Sequence, residues 1–240
     1  MPLEPLLYAP PTEPRLVFIH EDRDMVVLNK PSGLLSVPGR TPDLFDSALS
    51  RVREIHACAQ AVHRLDLGTS GVLVVATRRK AEAVLRQQFQ DRKTRKVYLA
   101  LVRGVMSEDS GLVDLPLICD WPNRPRQMVC HATGKPALTQ YEILERSRHF
   151  TLVLLRPHTG RSHQLRVHMA SLGHPILGDN LYGEQRPGER LMLHASQLGL
   201  FHPYSGDWTV FHAACDFAAH ISPVALDPLE PSTPDSISET

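Results

Sequence analysis

An α+β fold built on a mixed, mostly antiparallel sheet is predicted by three features of the sequence. Short apolar runs come in pairs separated by turn residues, as in LVFIH with MVVLNK and LTQYEILE with FTLVLLRP. Segments with helical periodicity are few and irregularly placed, which excludes the regular alternation of a parallel βαβ fold. VLVVAT (72–77) is a continuous apolar run, the pattern of a strand covered on both faces.

Residues 1–15 are proline-rich and read as a flexible N-terminal arm. LVFIH (16–20) and MVVLNK (25–30) are two strands with acidic turn residues between them, and the second stops at the turn signal Lys30-Pro31-Ser32-Gly33. A helix is expected around 46–59. Strand 72–77 follows, then a helix over 80–92 with Val84, Leu85 and Phe89 at helical spacing and polar or basic residues on its other faces. KVYLALVRG (96–104) is a strand ending at a glycine. Residues 105–135 are rich in Pro, Gly and Asp and are expected to be irregular, with Trp121 in a long loop. Segments 138–145 and 150–157 form a strand pair. TGRSHQLRVHMASLG (159–173) reads as a turn and a helix, with Ser162 as N-cap and Gly173 as C-terminal stop. Residues 191–203 and 208–213 supply two last strands, and the acidic, Pro/Ser-rich residues 221–240 read as a disordered tail.

The 240 residues suffice for one large domain, and 42% hydrophobic residues suit a globular core. No apolar run approaches the ~20 residues of a membrane span, and the N-terminus lacks the pattern of a secretion signal. Cys58, Cys119, Cys130 and Cys215 are irregularly spaced with no CxxC pair, which supports neither a zinc site nor a disulfide framework and suits a reducing cytoplasm. Net charge is zero but unevenly spread. Residues 1–50 carry 4 Lys+Arg against 7 Asp+Glu, residues 51–170 carry 20 against 10, and residues 171–240 carry 2 against 9. The basic middle is densest from Arg78-Arg79-Lys80 through Arg86, Arg92, Lys93, Arg95, Lys96 and Arg103. It hints at a positive face for a nucleic acid, although a solvated helix face would give the same run. No heptad or large apolar stripe suggests an obligate partner, so a monomer is expected.

Familiar catalytic motifs fail one by one. HRLD (63–66) is not accompanied by the glycine-rich loop or DFG of a kinase, and GTSG is not a nucleophile elbow because Val72 follows Gly71. His158, His163 and His168 are five apart and do not share a helical face, so no metal is expected. No phosphate-binding GxxxxGK[ST] loop is present, so no nucleotide cofactor is expected. What is left is Asp66, at the mouth of strand 72–77 in HRLDLGTSG (63–71). A carboxylate there loses hydration, and without a cation it is destabilising or neutralised. In an extended segment residues i and i+2 share a face, so Arg64 and Asp66 point one way and Leu65 and Leu67 the other. An arginine-paired carboxylate can act as a base or nucleophile, and it can equally be a structural ion pair.

HRLDLGTSGVLVVA (63–76) resembles the signature of the RluA family of pseudouridine synthases. Three more segments match that family in order and approximate spacing: MVVLNKPSGLLSVPG (25–39), RKVYLALVRG (95–104) and RPHTGRSHQLRVHMASLGHPILGD (156–179). The resemblance implies a pseudouridine synthase catalytic domain over 16–220, without the S4-like RNA-binding domain that several relatives carry. DLPLICDWPNRPRQ (114–127) and TGKPALTQYE (133–142) look closest to members acting on both 23S rRNA and the tRNA anticodon stem-loop. The implied activity is a cofactor-free isomerisation of uridine to pseudouridine in structured RNA, with base flipping. Asp66 matches the catalytic aspartate. Tyr98 matches the tyrosine that stacks on the target base and is proposed to act in proton removal. Arg166 matches the basic residue that pairs with the aspartate, and Arg64 the arginine that enters the gap left by the flipped nucleotide. Arg166 lies among Leu165, Val167 and Met169, so its pairing with Asp66 does not follow from the helix pattern. One carboxylate suits isomerisation better than hydrolysis, which usually employs two flanking the bond. The alternatives are a non-catalytic RNA-binding or RNA-folding module on the same core and a base-excising hydrolase.

Overall fold

The computed structural model describes residues 8–184, 188–221, 226 and 229–231. Most of the expected tail at 221–240, and residues 1–7 of the expected arm, lie outside the described residues. Twelve strands and three α-helices are present among the described residues: β1 (Phe18–Glu21), β2 (Met25–Lys30), α1 (Ala48–Arg53), β3 (Gln60–Ala61), β4 (Ser70–Ala76), α2 (Arg79–Gln90), β5 (Arg95–Arg103), β6 (Ser110–Asp114), β7 (Leu117–Cys119), β8 (Gln127–Val129), β9 (Leu138–Arg146), β10 (Phe150–Pro157), α3 (Gln164–Ser171), β11 (Leu193–Phe201) and β12 (Trp208–His212). Ten strands share one sheet in the order β1-β2-β4-β11-β5-β10-β9-β6, with β12 paired to β11 and β3 to β4, while β7 and β8 form a separate hairpin. Within the sheet only β4 and β11 run parallel, so the mixed, mostly antiparallel architecture is as expected.

Strand alternation sorts the core. Val72, Val74 and Ala76 of β4, with Met25 and Val27 of β2, pack under Ala81 and Leu85 of α2. Leu73 and Val75, with Val26 and Leu28, face the other way and pack on Leu49 and Val52 of α1. All seven residues of β4 are buried, as its unbroken apolar run predicts. Further along the sheet, Ala100, Val102, Val153 and Leu155 pack against Leu165 and Met169 of α3. Tyr98 belongs to both the α1 and the α3 cluster. The seam between these two packed halves runs along β4, β11 and β5, and the candidate site opens there.

Three segments differ from expectation. Helix α1 ends at Arg53, not 59: Ser47 caps it in a reciprocal box with Ser50, but Ile55 is exposed and the chain turns so that Gln60 and Ala61 pair with β4. The stretch 105–135 is not irregular throughout; it holds β6 on the sheet edge and the β7–β8 hairpin. In β6 only Val113 is buried, too little apolar pattern to signal a strand. Residues 8–15 of the expected arm are tied down. The Tyr8 hydroxyl donates to the Asp46 carbonyl and accepts from the Leu35 N–H, and buried Arg51 donates to the carbonyls of Pro11 and Arg15.

Candidate active site

Asp66 lies in the loop that feeds β4, and segment 30–36 holds that loop from one side. Ser36 Oγ donates to the Leu65 carbonyl at 2.7 Å and accepts from the Leu65 N–H at 3.0 Å. Ser32 Oγ donates to the Gly68 carbonyl, and the Gly33 N–H to the Leu67 carbonyl. Lys30 is 1% exposed; its ammonium donates to the carbonyls of Pro31 (2.8 Å), Leu34 (2.8 Å) and Leu67 (3.3 Å). Burial lowers its pKa to about 7, with the Asp66 charge pulling the other way. At the other end of the loop His63 accepts the Val74 N–H at 2.9 Å and stacks on Phe89. Burial, then Lys96, lowers the His63 pKa to about 3, so the imidazole is neutral and available as that acceptor. Gly71 has φ +110°, and a Cβ there would sit 2.2 Å from the Ala195 carbonyl oxygen, so the parallel contact with β11 requires glycine.

Arg166 rises from α3 to meet this loop. Its Nη1 is 3.5 Å from Asp66 Oδ2, while its Nε and Nη2 grip the two Asp179 oxygens at 2.7 and 2.6 Å. Asp179 is fully buried and also accepts the N–H groups of Leu181 and Tyr182. The expected pairing of Arg166 with Asp66 is therefore present, but as the looser of two contacts. Asp179 fixes the guanidinium, and the guanidinium faces Asp66. His163 Nε2 approaches Asp66 Oδ2 at 3.9 Å, and its Nδ1 is 2.8 Å from the Tyr182 hydroxyl. That hydroxyl also accepts the Gln127 N–H at 2.7 Å. Burial lowers the His163 pKa, opposed by the Asp66 charge.

Ser162 does not cap α3. His163 occupies the N-cap with a left-handed backbone (φ +53°) and no capping side-chain bond. The Gln164 side chain ties the turn instead: its Oε1 accepts from Thr159 Oγ1 and the Arg161 N–H, and its Nε2 donates to the Leu138 carbonyl and Thr139 Oγ1. The expected stop at Gly173 is present, with φ +83°. Residues 164–169 of α3 are all buried, so Arg166 has no polar helix face to occupy; it and His168 are buried with polar partners.

Two clefts, of about 510 and 1010 Å³, meet at Arg64, Leu65, Asp66, His163 and Arg166. Tyr98, from β5, lines the first, and burial followed by the Asp66 charge raises its pKa. It is a neutral phenol at neutral pH. Arg64 is exposed, lines both clefts, and has no ion-pair or hydrogen-bonding partner among the described residues. The loop thus brings Asp66, Tyr98, Arg166 and Arg64 to one place. Lys30, His63, His163, Asp179 and Tyr182 complete the surroundings; composition and spacing gave no signal for any of them. No group of three or more His, Cys, Asp or Glu placed to hold a metal occurs among the described residues.

A family model described as RNA pseudouridylate synthase matches residues 24–171. The chain is 53% identical over 214 residues to the dual-specificity RNA pseudouridine synthase RluA of Escherichia coli (strain K12), covering 88% of this chain and 98% of that protein. It is 52% identical over 210 residues to the protein of the same name from Pasteurella multocida (strain Pm70), covering 86% and 96%. Among solved structures, human RNA pseudouridylate synthase domain containing 1 superposes with a TM-score of 0.71 at 31% identity, covering 85% of each chain.

Proposed function

The chain belongs to the RNA pseudouridylate synthase family, and from that premise we propose that it isomerises uridine in 23S rRNA and in the tRNA anticodon stem-loop, with Asp66 acting on the flipped nucleoside. The observation that carries this reading is that Asp66 is the single acidic residue among those lining the first cleft, and a buried arginine faces it. Asp179, the nearby second carboxylate, is sealed from solvent and committed to Arg166. A hydrolase of the two-carboxylate type needs both groups at the bond. A single carboxylate in that cleft suits an internal transfer instead. In that transfer the N-glycosidic bond breaks, the uracil turns, C5 bonds to the sugar carbon, and the proton lost from C5 is balanced by one gained at N1. No electron carrier or energy source enters.

Each neighbour has a part in this reading. Arg166 and His163 orient Asp66 in a site that water leaves when substrate enters. Tyr98 offers a ring on which the extruded base stacks. As a neutral phenol it takes the C5 proton only if its own proton moves on. Flipping the uridine costs roughly a few kcal/mol, and Arg64 offsets part of this by filling the vacated stack. The β7–β8 hairpin, where the Arg124 guanidinium lies 4.2 Å over exposed Trp121, is the surface we assign to RNA choice. We place the reaction in the cytoplasm, carried out by a monomer without a cofactor. The test is tritium release from 5-tritiated uridine in rRNA and anticodon stem-loop RNA. Asp66→Asn and Asp66→Ala abolish release while RNA binding persists; wild-type turnover by either variant would sink the assignment.

A further inference from the structure

The first cleft does not end at Tyr98. Lys96 lies two residues earlier on β5, on the same face and about 7 Å away along the strand. It lines the cleft together with Arg92 from the end of α2 and with His158, Gly160 and Arg161 from the turn before α3. The Lys96 ammonium stands over that turn, 3.7 Å from where a Cβ on Gly160 would be. No hydrogen bond or ion pair holds it among the described residues. Asp66 is the single acid among the lining residues, and it sits at the other end of the cleft against Arg166. Burial and then Arg92 and Arg95 lower the Lys96 pKa to about 8, and Lys96 in turn depresses His63 and His158. Cations gathered in a recess without a counter-anion are a destabilising arrangement until a ligand supplies the anion.

The turn that ends α2, closed by the Lys93 N–H on the Gln88 carbonyl and the Arg92 N–H on the Phe89 carbonyl, brings Arg92 to this cleft. Arg92 follows the Asp91 cap of α2 with φ +56°, a backbone position where glycine is the usual residue. Among the described residues the only other non-glycine with positive φ is His163, which also lines this cleft.

We propose that this end of the cleft is a phosphate subsite, in which Lys96, flanked by Arg92 and Arg161, takes a backbone phosphodiester of the RNA within one nucleotide of the uridine held at Tyr98. The inference rests on the reading of the site as an RNA-modifying one. The subsite carries no base specificity; it fixes the strand so that the flipped nucleoside arrives over Asp66.

The test uses an anticodon stem-loop RNA that the wild-type enzyme converts, together with copies carrying one methylphosphonate at each diester flanking the target. If the wild type converts no RNA, the proposed function has failed, not the subsite alone. The subsite predicts that Lys96→Gln raises KM about ten- to a hundredfold, the usual range for a charge-assisted hydrogen bond, and that Lys96→Arg restores most of the loss. It predicts that the slope of log(kcat/KM) against log salt falls by about 0.7 in Lys96→Gln. One methylphosphonate should cost the wild type a similar factor and cost Lys96→Gln nothing further. Should Lys96→Gln not fold, the methylphosphonate series on the wild type alone decides. Indifference of the wild type to every flanking methylphosphonate overturns the subsite, as does an undiminished penalty in Lys96→Gln.

Discussion

Replacing Lys30 with Met keeps the length of the side chain and removes an ammonium that has been taken out of water. The folded protein holds the Lys30 proton up to about pH 7, whereas the unfolded chain holds it to about 10.4. Between those values the unfolded state binds one more proton, so this lysine makes stability rise with pH through that window and contributes no slope below it. A gap of about 3.5 pH units at ~1.36 kcal/mol each gives about 5 kcal/mol. The carbonyls of Pro31, Leu34 and Leu67 accept from the charged form and Asp66 also favours it, so about 5 is the upper end. Lys30→Met does not titrate. The stability difference, wild type minus variant, therefore climbs by several kcal/mol from pH 7 to 10 and is level from pH 5 to 7. Urea unfolding at half-unit pH steps measures it. A difference that stays flat to pH 10 would refute the argument, because Lys30 would then keep an ordinary pKa. The same substitution takes a donor from the Leu67 carbonyl, one residue from Asp66, and kcat should fall at least about tenfold at pH 7.5.

Asp179→Asn leaves the guanidinium of Arg166 with one acceptor and an opposing NH2; breaking such a buried pair costs about 3–5 kcal/mol. Thermal melting should drop by about 10 °C, and kcat should fall more than KM rises; a pure KM effect would contradict a positioning role. Gly71→Ala should destabilise by more than about 3 kcal/mol through both its φ and the Ala195 carbonyl, whereas Gly206→Ala, with φ +79° and nothing within 4 Å, should lose only about 1 kcal/mol. Equal losses at the two glycines in urea titrations would remove the close-approach explanation.

How far the sequence could be read depended on what each residue packs against. β4 was legible because all seven of its residues are buried, and a fully covered strand needs an unbroken apolar run. α2 was legible from Leu85 and Phe89 against a basic outer face. β6 was not, because a single inward residue carries no period. The N-cap of α3 was misplaced for a related reason. Serine is the usual capping residue, but here Gln164 closes the turn from inside the helix and His163 takes the strained position. Asp66 and Arg64 both line the clefts, but Leu65 lines them too and Leu67 the second, so the alternation expected of an extended segment does not sort this loop. Arg166 is a hundred residues away and reached the page through family resemblance, since a helix buried on every side hides which residue is the polar one. Asp179 is joined to Asp66 through Arg166, and Tyr182 through the His163 ring, and relations of that kind leave no period in a sequence.

The arrangement around Asp66 also explains why its nearest arginine is not its partner. In the role we propose for it, a carboxylate meeting a nucleoside, Asp66 cannot be closed off by a bidentate clamp, because the clamp would occupy both oxygens. The structure gives the clamp to Asp179, which is buried and never meets solvent, and lets the clamped guanidinium present a remaining nitrogen to Asp66 at 3.5 Å. Asp66 is thereby held by a fixed charge without being covered. Arg64 stays outside, exposed and unpaired among the described residues, at the junction of the two clefts. Had Arg64 closed on Asp66, one residue would have blocked the carboxylate and withdrawn the side chain we assign to the RNA stack. Separating the two arginines by a hundred residues leaves the acid open and reachable, at the expense of burying a second acid to hold the first one's partner.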